Sequence, residues 1–357
     1  MRDKNVPGKG DNMREWVEWQ KKLVPEALDT MGRRYRILQY VRVMQPIGRR
    51  TLAQHLQFTE RVLRNEVSFL KNQGLLHIST SGMELTDEAY DLLDELEESM
   101  KAAFGLSALE QKLADKLQIP EVIVLADDSD EQSWVKRELG RACIDIMGSR
   151  LAPGDVVAVA GGTTLASIAE MMVPNDVFSS ITFVPARGGL GEDVEIQSNT
   201  IVSQMAKRAR ANYRLLHVPD QLSEETRDSL QLEPGIKELL ELIRRPRMVV
   251  HGIGEAETMA LRRRTEETAV DELKKQEAVA EAFGYYFDKD GRIVHKEQTT
   301  GLQLDDLTEE QTVITVAGGA SKAEAIAAYM RYRPSDLLIT DEGAAQAVLN
   351  YASAGSF

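Results

Sequence analysis

The chain has 357 residues, 43% of them hydrophobic and 28% charged, the make-up of a globular protein of two or three domains with a sizeable core. No apolar run approaches the ~20 residues that cross a bilayer, and the start MRDKNVPGKGDN carries no apolar signal region, so a cytoplasmic protein is expected. A single cysteine, Cys143, excludes an intramolecular disulfide and a cysteine-based zinc site, and no cofactor is expected.

The net charge of −14 is unevenly spread. Between Arg33 and Gly82, nine basic residues face only Glu60 and Glu66, a local charge of +7, whereas Glu84 to Glu98 holds eight acids and no base. A compact basic module inside an acidic protein points to a polyanion partner for that module alone.

Residues 1–32 read as a polar extension, disordered over its first dozen residues, followed by a helix through Trp16, Trp19, Leu23, Ala27 and Met31 that Pro25 should break or restart. Residues 33–86 read as a winged helix-turn-helix. Its helices are expected at Tyr35–Met44, from a Thr51 cap to Leu56, and from a Thr59 cap to Gln73, with Gly74 as the stop. Leu75–Ser79, Thr80–Gly82 and Met83–Leu85 then give strand, turn, strand, which is the wing. On the last helix Leu63, Val67 and Leu70 form the buried stripe. Arg61, Arg64, Asn65 and Ser68 share another face, where Arg and Asn suit bidentate contacts to guanine and adenine in the major groove. The DNA-contact candidates are therefore Arg49, Arg50, Thr59, Arg61, Arg64, Asn65, Ser68 and Lys71. A protein-interaction module with a solvated basic face is the plainer reading, but charge, wing and helix composition agree on double-stranded DNA.

Residues 87–117 read as a linker or oligomerisation helix with Gly105 as a break; a helix-turn-helix gains affinity from two half-sites, so a homodimer or homotetramer is expected. Residues 118–357 alternate apolar strands with helical stretches, the pattern of a Rossmann-like α/β domain with a mostly parallel sheet. Strands are expected at 122–125, 156–160, 181–184, 213–216, 248–250, 313–316 and 337–340, with a hairpin at 287–294 near one edge.

Four strands end in glycine-rich loops: Ala160–Thr164, Pro185–Gly189, His251–Glu255 and Ala317–Lys322. Such loops at carboxyl ends of strands admit a ligand close to the backbone, and a helix start attracts phosphate. Thr163, Thr164 and Ser321 add hydroxyls, and Arg187 and Lys322 add charge, so a molecule with two phosphates would suit two separated anion sites. Gly252-Ile253-Gly254 fails the dinucleotide fingerprint because Glu257 stands at the third glycine position, and Gly318 to Lys322 is too short for a P-loop. The five histidines are scattered, and no Gly-x-Ser-x-Gly elbow occurs.

The stretches TERVLRNEVSFLKNQGLL, DVVAVAGGTTLASIAEMM, VPARGGLGEDVEIQSN, HGIGEAETMALRR and VAGGASKAEAI, in this order, resemble the SorC-type sugar-binding bacterial regulators. Among these they resemble the group that governs central glycolytic genes in Gram-positive bacteria. The resemblance spans nearly the whole chain. It implies a repressor of the triose part of glycolysis with a sugar-isomerase-like effector domain, released from its operator by fructose 1,6-bisphosphate. It further implies that Gly162, Thr163 and Thr164 hold one phosphate with Lys322, that Arg187 and Arg262 meet the other, and that Gln197 and Glu281 take sugar hydroxyls. The alternative is an enzyme, a ribose-5-phosphate isomerase or amino-sugar-phosphate deaminase. Those enzymes carry Asp-Gly-Ala-Asp-Glu where this chain reads His251-Gly252-Ile253-Gly254-Glu255, so the first acid is missing. Repressor and activator are not distinguished by these residues.

Overall fold

The computed structural model describes residue 19 and residues 22–189, 193–263 and 265–351. The polar first dozen residues and Trp16 lie outside them. The chain divides into two compact units, Met1–Ala108 and Leu109–Phe357. Among the described residues no helix is long and apolar enough to cross a membrane.

The first unit opens with α1 (Pro25–Met44), one continuous helix where the sequence reading expected a new one at Tyr35. Pro25 sits at its first turn, where a missing N–H costs nothing, and Tyr35, Ile37, Leu38 and Val41 supply the buried face. Helix α2 (Arg49–His55) starts two residues before the expected Thr51, with Gly48 as its cap; Thr51 lies inside the helix. Helix α3 (Glu60–Asn72) is capped as expected: the Thr59 hydroxyl accepts from the Val62 N–H at 3.3 Å. Gly74, at φ +78°, follows it in the left-handed region. Strands β1 (Leu76–Ile78) and β2 (Met83–Leu85) pair antiparallel with Leu76 opposite Leu85. Helix α4 (Asp87–Phe104) ends at left-handed Gly105, and α5 (Leu106–Leu117), most of which belongs to the second unit, begins anew, so the 87–117 stretch is two helices.

The second unit is built on seven parallel strands: β3 (Glu121–Leu125), β4 (Val156–Val159), β5 (Thr182–Pro185), β6 (Asn212–Tyr213), β7 (Met248–His251), β12 (Thr312–Val316) and β13 (Leu337–Asp341). They form one all-parallel sheet in the order β3-β13-β12-β7-β4-β5-β6. Each matches an expected strand, although only Asn212 and Tyr213 of the sixth pair into the sheet. Their continuous apolar runs are buried on both faces: Val157, Phe183, Val250, Ile314 and Ile339 join Leu139, Cys143, Ile168, Ile201 and Met205 of the covering helices in the core on one face, and Ala158, Val184, Val249 and Leu338, which alternate with them, are buried on the other. After β4 the chain winds outward to β5 and β6, then returns to place β7 on the other side of β4. That reversal opens a crevice at the carboxyl ends of β4 and β7.

The expected hairpin belongs to a second sheet, made by β8 (Gly254–Glu255), β9 (Ala278–Ala282), β10 (Tyr285–Asp288) and β11 (Ile293–Lys296). These four strands are antiparallel, in the order β11-β10-β9-β8. The sequence reading missed β8 and β9. The short β8 continues directly from the β7 loop, and so brings β9, with Glu281 opposite Gly254, to the crevice.

Candidate functional site

Strands β5, β4, β7 and β12 are neighbours, so the four glycine-rich loops meet at one edge of the sheet. They do not contribute in the same way. After β4, Gly162 (φ +130°) turns the chain into α6 (Thr163–Met171). A side chain at Gly161 would strike the Ile196 carbonyl at 2.8 Å. Ala166 N–H makes the first helical bond, to the Gly162 carbonyl at 2.9 Å, so the N–H groups of Thr163, Thr164 and Leu165 precede the ladder. That is the geometry that receives an anion.

The loop after β12 was expected to offer the same, and it does not. Its N–H groups already face carboxylates: Gly319 donates to Asp341 at 2.8 Å, Ser321 to Asp130 at 2.8 Å and Ala320 to Asp128 at 3.4 Å. Ser321 is exposed and outside the cavity; what this loop delivers is Lys322. Burial pushes the Lys322 ammonium below its ordinary pKa, and Arg262 and Lys136 push the same way, while Glu255 and Asp130 oppose. The loop after β5 likewise commits its N–H groups, Gly188 to Thr300 and Gly189 to Val218 at 3.0 Å each, and delivers Arg187.

One cavity gathers Gly162, Thr163, Thr164, Arg187, Arg262, Glu281 and Lys322. Gln197 is the exception among the expected pocket residues: it lines a smaller cavity next door that shares Gly162, Arg187 and Arg262. Arg262 and Lys322 have no ion pair among the described residues.

Glu281 is less open to a ligand than the resemblance implied. Its Oε1 accepts from Arg263 Nη2 at 2.5 Å and from Gly284 N–H at 2.7 Å, with Arg187 Nη1 at 3.9 Å. Burial works against its charge, but Arg263, Arg187 and Gly284 outweigh it and hold the carboxyl below its usual range. Arg263 is fully buried and also binds Asp220, at 3.1 Å. Burial raises Asp220 against the pull of Arg187 and Arg263. The sequence reading missed Arg263 and Asp220. In Arg262-Arg263 at a helix end, one arginine faces the cavity and the other the core, and only the tertiary packing tells them apart.

His251, at the position where the isomerases carry their first acid, is buried and pushed down to about 4 by that burial. The neutral ring bonds the Gly252 carbonyl through Nδ1 at 3.0 Å and the Thr315 hydroxyl through Nε2 at 2.8 Å. Both nitrogens are committed, which leaves no base for proton transfer at this point.

In the first unit, Arg49, Arg50, Thr59, Arg61, Arg64, Asn65, Ser68 and Lys71 are all exposed, while Leu63, Val67 and Leu70 are buried beneath them. The basic field is smaller than composition implied. Arg33 and Arg34 both pair with buried Glu66, at 3.3 and 2.8 Å, and buried Arg42 pairs with Asp94 at 3.3 Å. Arg49, Arg50, Arg61, Arg64 and Lys71 make no such pair among the described residues, so the available charge lies on α2 and α3.

Residues 101–350 match the family model described as "Putative sugar-binding domain", and residues 30–100 match the "CggR N-terminal DNA binding domain". The chain is 54% identical over 335 residues to the central glycolytic genes regulator of Priestia megaterium, covering 94% of this chain and 98% of that one. It is 50% identical to the protein of that name in Bacillus subtilis, covering 94% and 99%. A solved SorC family structure from Enterococcus faecalis superposes with a TM-score of 0.64 at 44% identity, over 68% of this chain and 99% of that one. The full-length sorbitol operon regulator of Klebsiella pneumoniae shares the fold at 18% identity, with a TM-score of 0.61 over 95% and 99% of the two chains.

Proposed function

The chain belongs to the SorC-type family of sugar-binding transcriptional regulators and is a DNA-binding regulator, not an enzyme; on that premise we propose that it represses glycolytic genes in the cytoplasm and leaves its operator when fructose 1,6-bisphosphate fills the crevice. The observation that carries this reading is the cavity at the β4–β7 reversal in which the start of α6, Lys322, Arg187 and Arg262 converge. Gly162, Thr163 and Thr164 hold one phosphate, the two threonines through free N–H and hydroxyl donors and Gly162 by turning the chain beneath it, with Lys322 as counter-charge. Arg187 and Arg262 meet the second phosphate, and Gln197 and the remaining oxygen of Glu281 take ring hydroxyls. The glycolytic genes and the sugar come from the likeness to the central glycolytic genes regulators.

On the DNA side, Arg61, Arg64, Asn65 and Ser68 read base edges from α3, and Arg49, Arg50, Thr59 and Lys71 meet the backbone. A homodimer or homotetramer presents two such helices to two half-sites. The sugar changes operator affinity by binding the two states of that oligomer unequally. A bisphosphate spans loops from β4, β5 and β12, whereas a monophosphate satisfies one end.

The test is a titration of the protein–operator complex with fructose 1,6-bisphosphate, in wild type and in Lys322→Ala. Coupling of about 1–3 kcal/mol weakens the wild-type complex roughly 5–150-fold. Lys322→Ala binds operator normally without sugar and resists release. Equal release in both moves the pocket elsewhere, and no release of the wild type removes this sugar as the effector.

A further inference from the structure

The anion cavity holds a second carboxylate besides Glu281, that of Glu255 at the end of β8. A carboxylate in a site built for phosphate opposes the main attraction, so its presence needs a reason. The fold does not supply one. Glu255 occupies the cap position of α7 (Ala256–Arg262), yet its side chain caps no backbone N–H there. It forms no salt bridge among the described residues, although its charge acts on Lys322 across the cavity. Its one hydrogen bond among the described residues is from the Thr258 hydroxyl, which donates to Oε2 at 3.1 Å and fixes the group in place. Oε1 has no partner among the described residues. Glu281 differs on every count, being held by Arg263, Gly284 and Arg187.

We infer that Glu255 is a specificity-determining residue: its carboxylate accepts a hydrogen bond from a hydroxyl of the bound sugar and turns away anions that bring no hydroxyl to that point. This rests on the sugar-bisphosphate reading above and deepens it. An ionised carboxylate accepts and cannot donate, so a hydroxyl satisfies it while a phosphate oxygen repels it. The cations draw any dianion into the crevice, and Glu255 makes the pocket choose a polyol ester over bare phosphate chains. Selectivity then comes from a repulsive element as much as from an attractive one.

The experiment compares fructose 1,6-bisphosphate with hexane-1,6-diyl bisphosphate, which has the same two phosphates and no hydroxyl. Calorimetry measures both on the full-length protein, in wild type and in Glu255→Gln. Glutamine keeps the shape but trades a charge-assisted bond for a neutral one, so the sugar is bound about ten-fold more weakly. The alkane ester, freed of the repulsion, is bound several-fold more tightly. Thr258→Val, which leaves the charge but loosens Oε2, narrows the preference in the same direction and covers the case in which Glu255→Gln does not fold. A preference unchanged in both variants overturns this inference alone. A wild type that binds no sugar bisphosphate overturns the effector reading, and this inference with it.

Discussion

Replacing Arg263 by leucine tests whether the buried arginine organises the crevice. Its guanidinium is fully buried and bridges Asp220 and Glu281, which are 1% and 4% exposed. Arg263→Leu leaves two buried carboxylates that share only the more distant Arg187. Breaking a buried pair in this way costs about 3–5 kcal/mol. At about 2–4 °C per kcal/mol for a unit of this size, the melting temperature falls by roughly 6–20 °C at neutral pH. The pH dependence separates this cause from a simple packing defect. In the wild type, Glu281 has a lowered pKa, so its contribution is present above the ordinary carboxylate range and is lost as pH falls through its folded value. Asp220 is raised, so its contribution is present below the ordinary range and is lost as pH rises through its folded value. Without the guanidinium both carboxyls titrate upward, and the folded variant binds more protons than its unfolded chain. The variant therefore recovers stability, relative to wild type, as pH falls from about 7.5 to about 5. Thermal melts followed by circular dichroism at those two pH values measure it. A loss of under about 1 kcal/mol, or an equal loss at both pH values, refutes the reasoning.

The DNA side makes two predictions. Arg61→Ala or Asn65→Ala lowers operator affinity in gel shift by about 1–3 kcal/mol each and relaxes discrimination at one base pair. Arg49→Ala with Arg50→Ala weakens binding to all sequences alike and flattens the slope of affinity against salt, by about 1 for each phosphate no longer neutralised. Thr59→Ala removes the cap of α3 and destabilises the first unit by about 1 kcal/mol in a denaturant melt, the Val62 N–H losing its acceptor. Gly161→Ala forces a methyl group against the Ile196 carbonyl 2.8 Å away, so the loop shifts and calorimetry records weaker bisphosphate binding while operator affinity without sugar is retained.

How much of this was legible in the residues depended on whether the signal was local. The α3 cap, its buried stripe and the Gly74 and Gly105 stops are short-range steric and hydrogen-bonding preferences, and the structure carries all of them. The sheet strands are continuous apolar runs, a pattern that burial on both faces imposes and that reads without any partner. Pro25 restarts the helix as expected, because a proline suits a first turn, but the separate helix expected at Tyr35 is the continuation of the one that Pro25 begins. The missed β8 and β9 have two and five residues, and β9 (AVAEA) reads equally well as helix.

The sequence by itself determined the order of the modules, the parallel sheet, the glycine-rich strand ends and the charge contrast between the basic module and the acidic remainder. Each is written in residues close along the chain. Only the tertiary structure decided which glycine loops keep their N–H groups free, because the competing carboxylates of Asp128 and Asp130 come from the segment after β3 and that of Asp341 from the end of β13. It also decided which basic residues are neutralised. Arg33, Arg34 and Arg42 look like Arg49 and Arg61 in composition, but Glu66 and Asp94 pair with the first three. Arg262 and Arg263 are adjacent in sequence, and their opposite fates follow from the turn of a helix end, which points one guanidinium into the crevice and the other at Asp220 and Glu281. Charge is a property of a residue, but its availability is set by the long-range pairings that the fold makes.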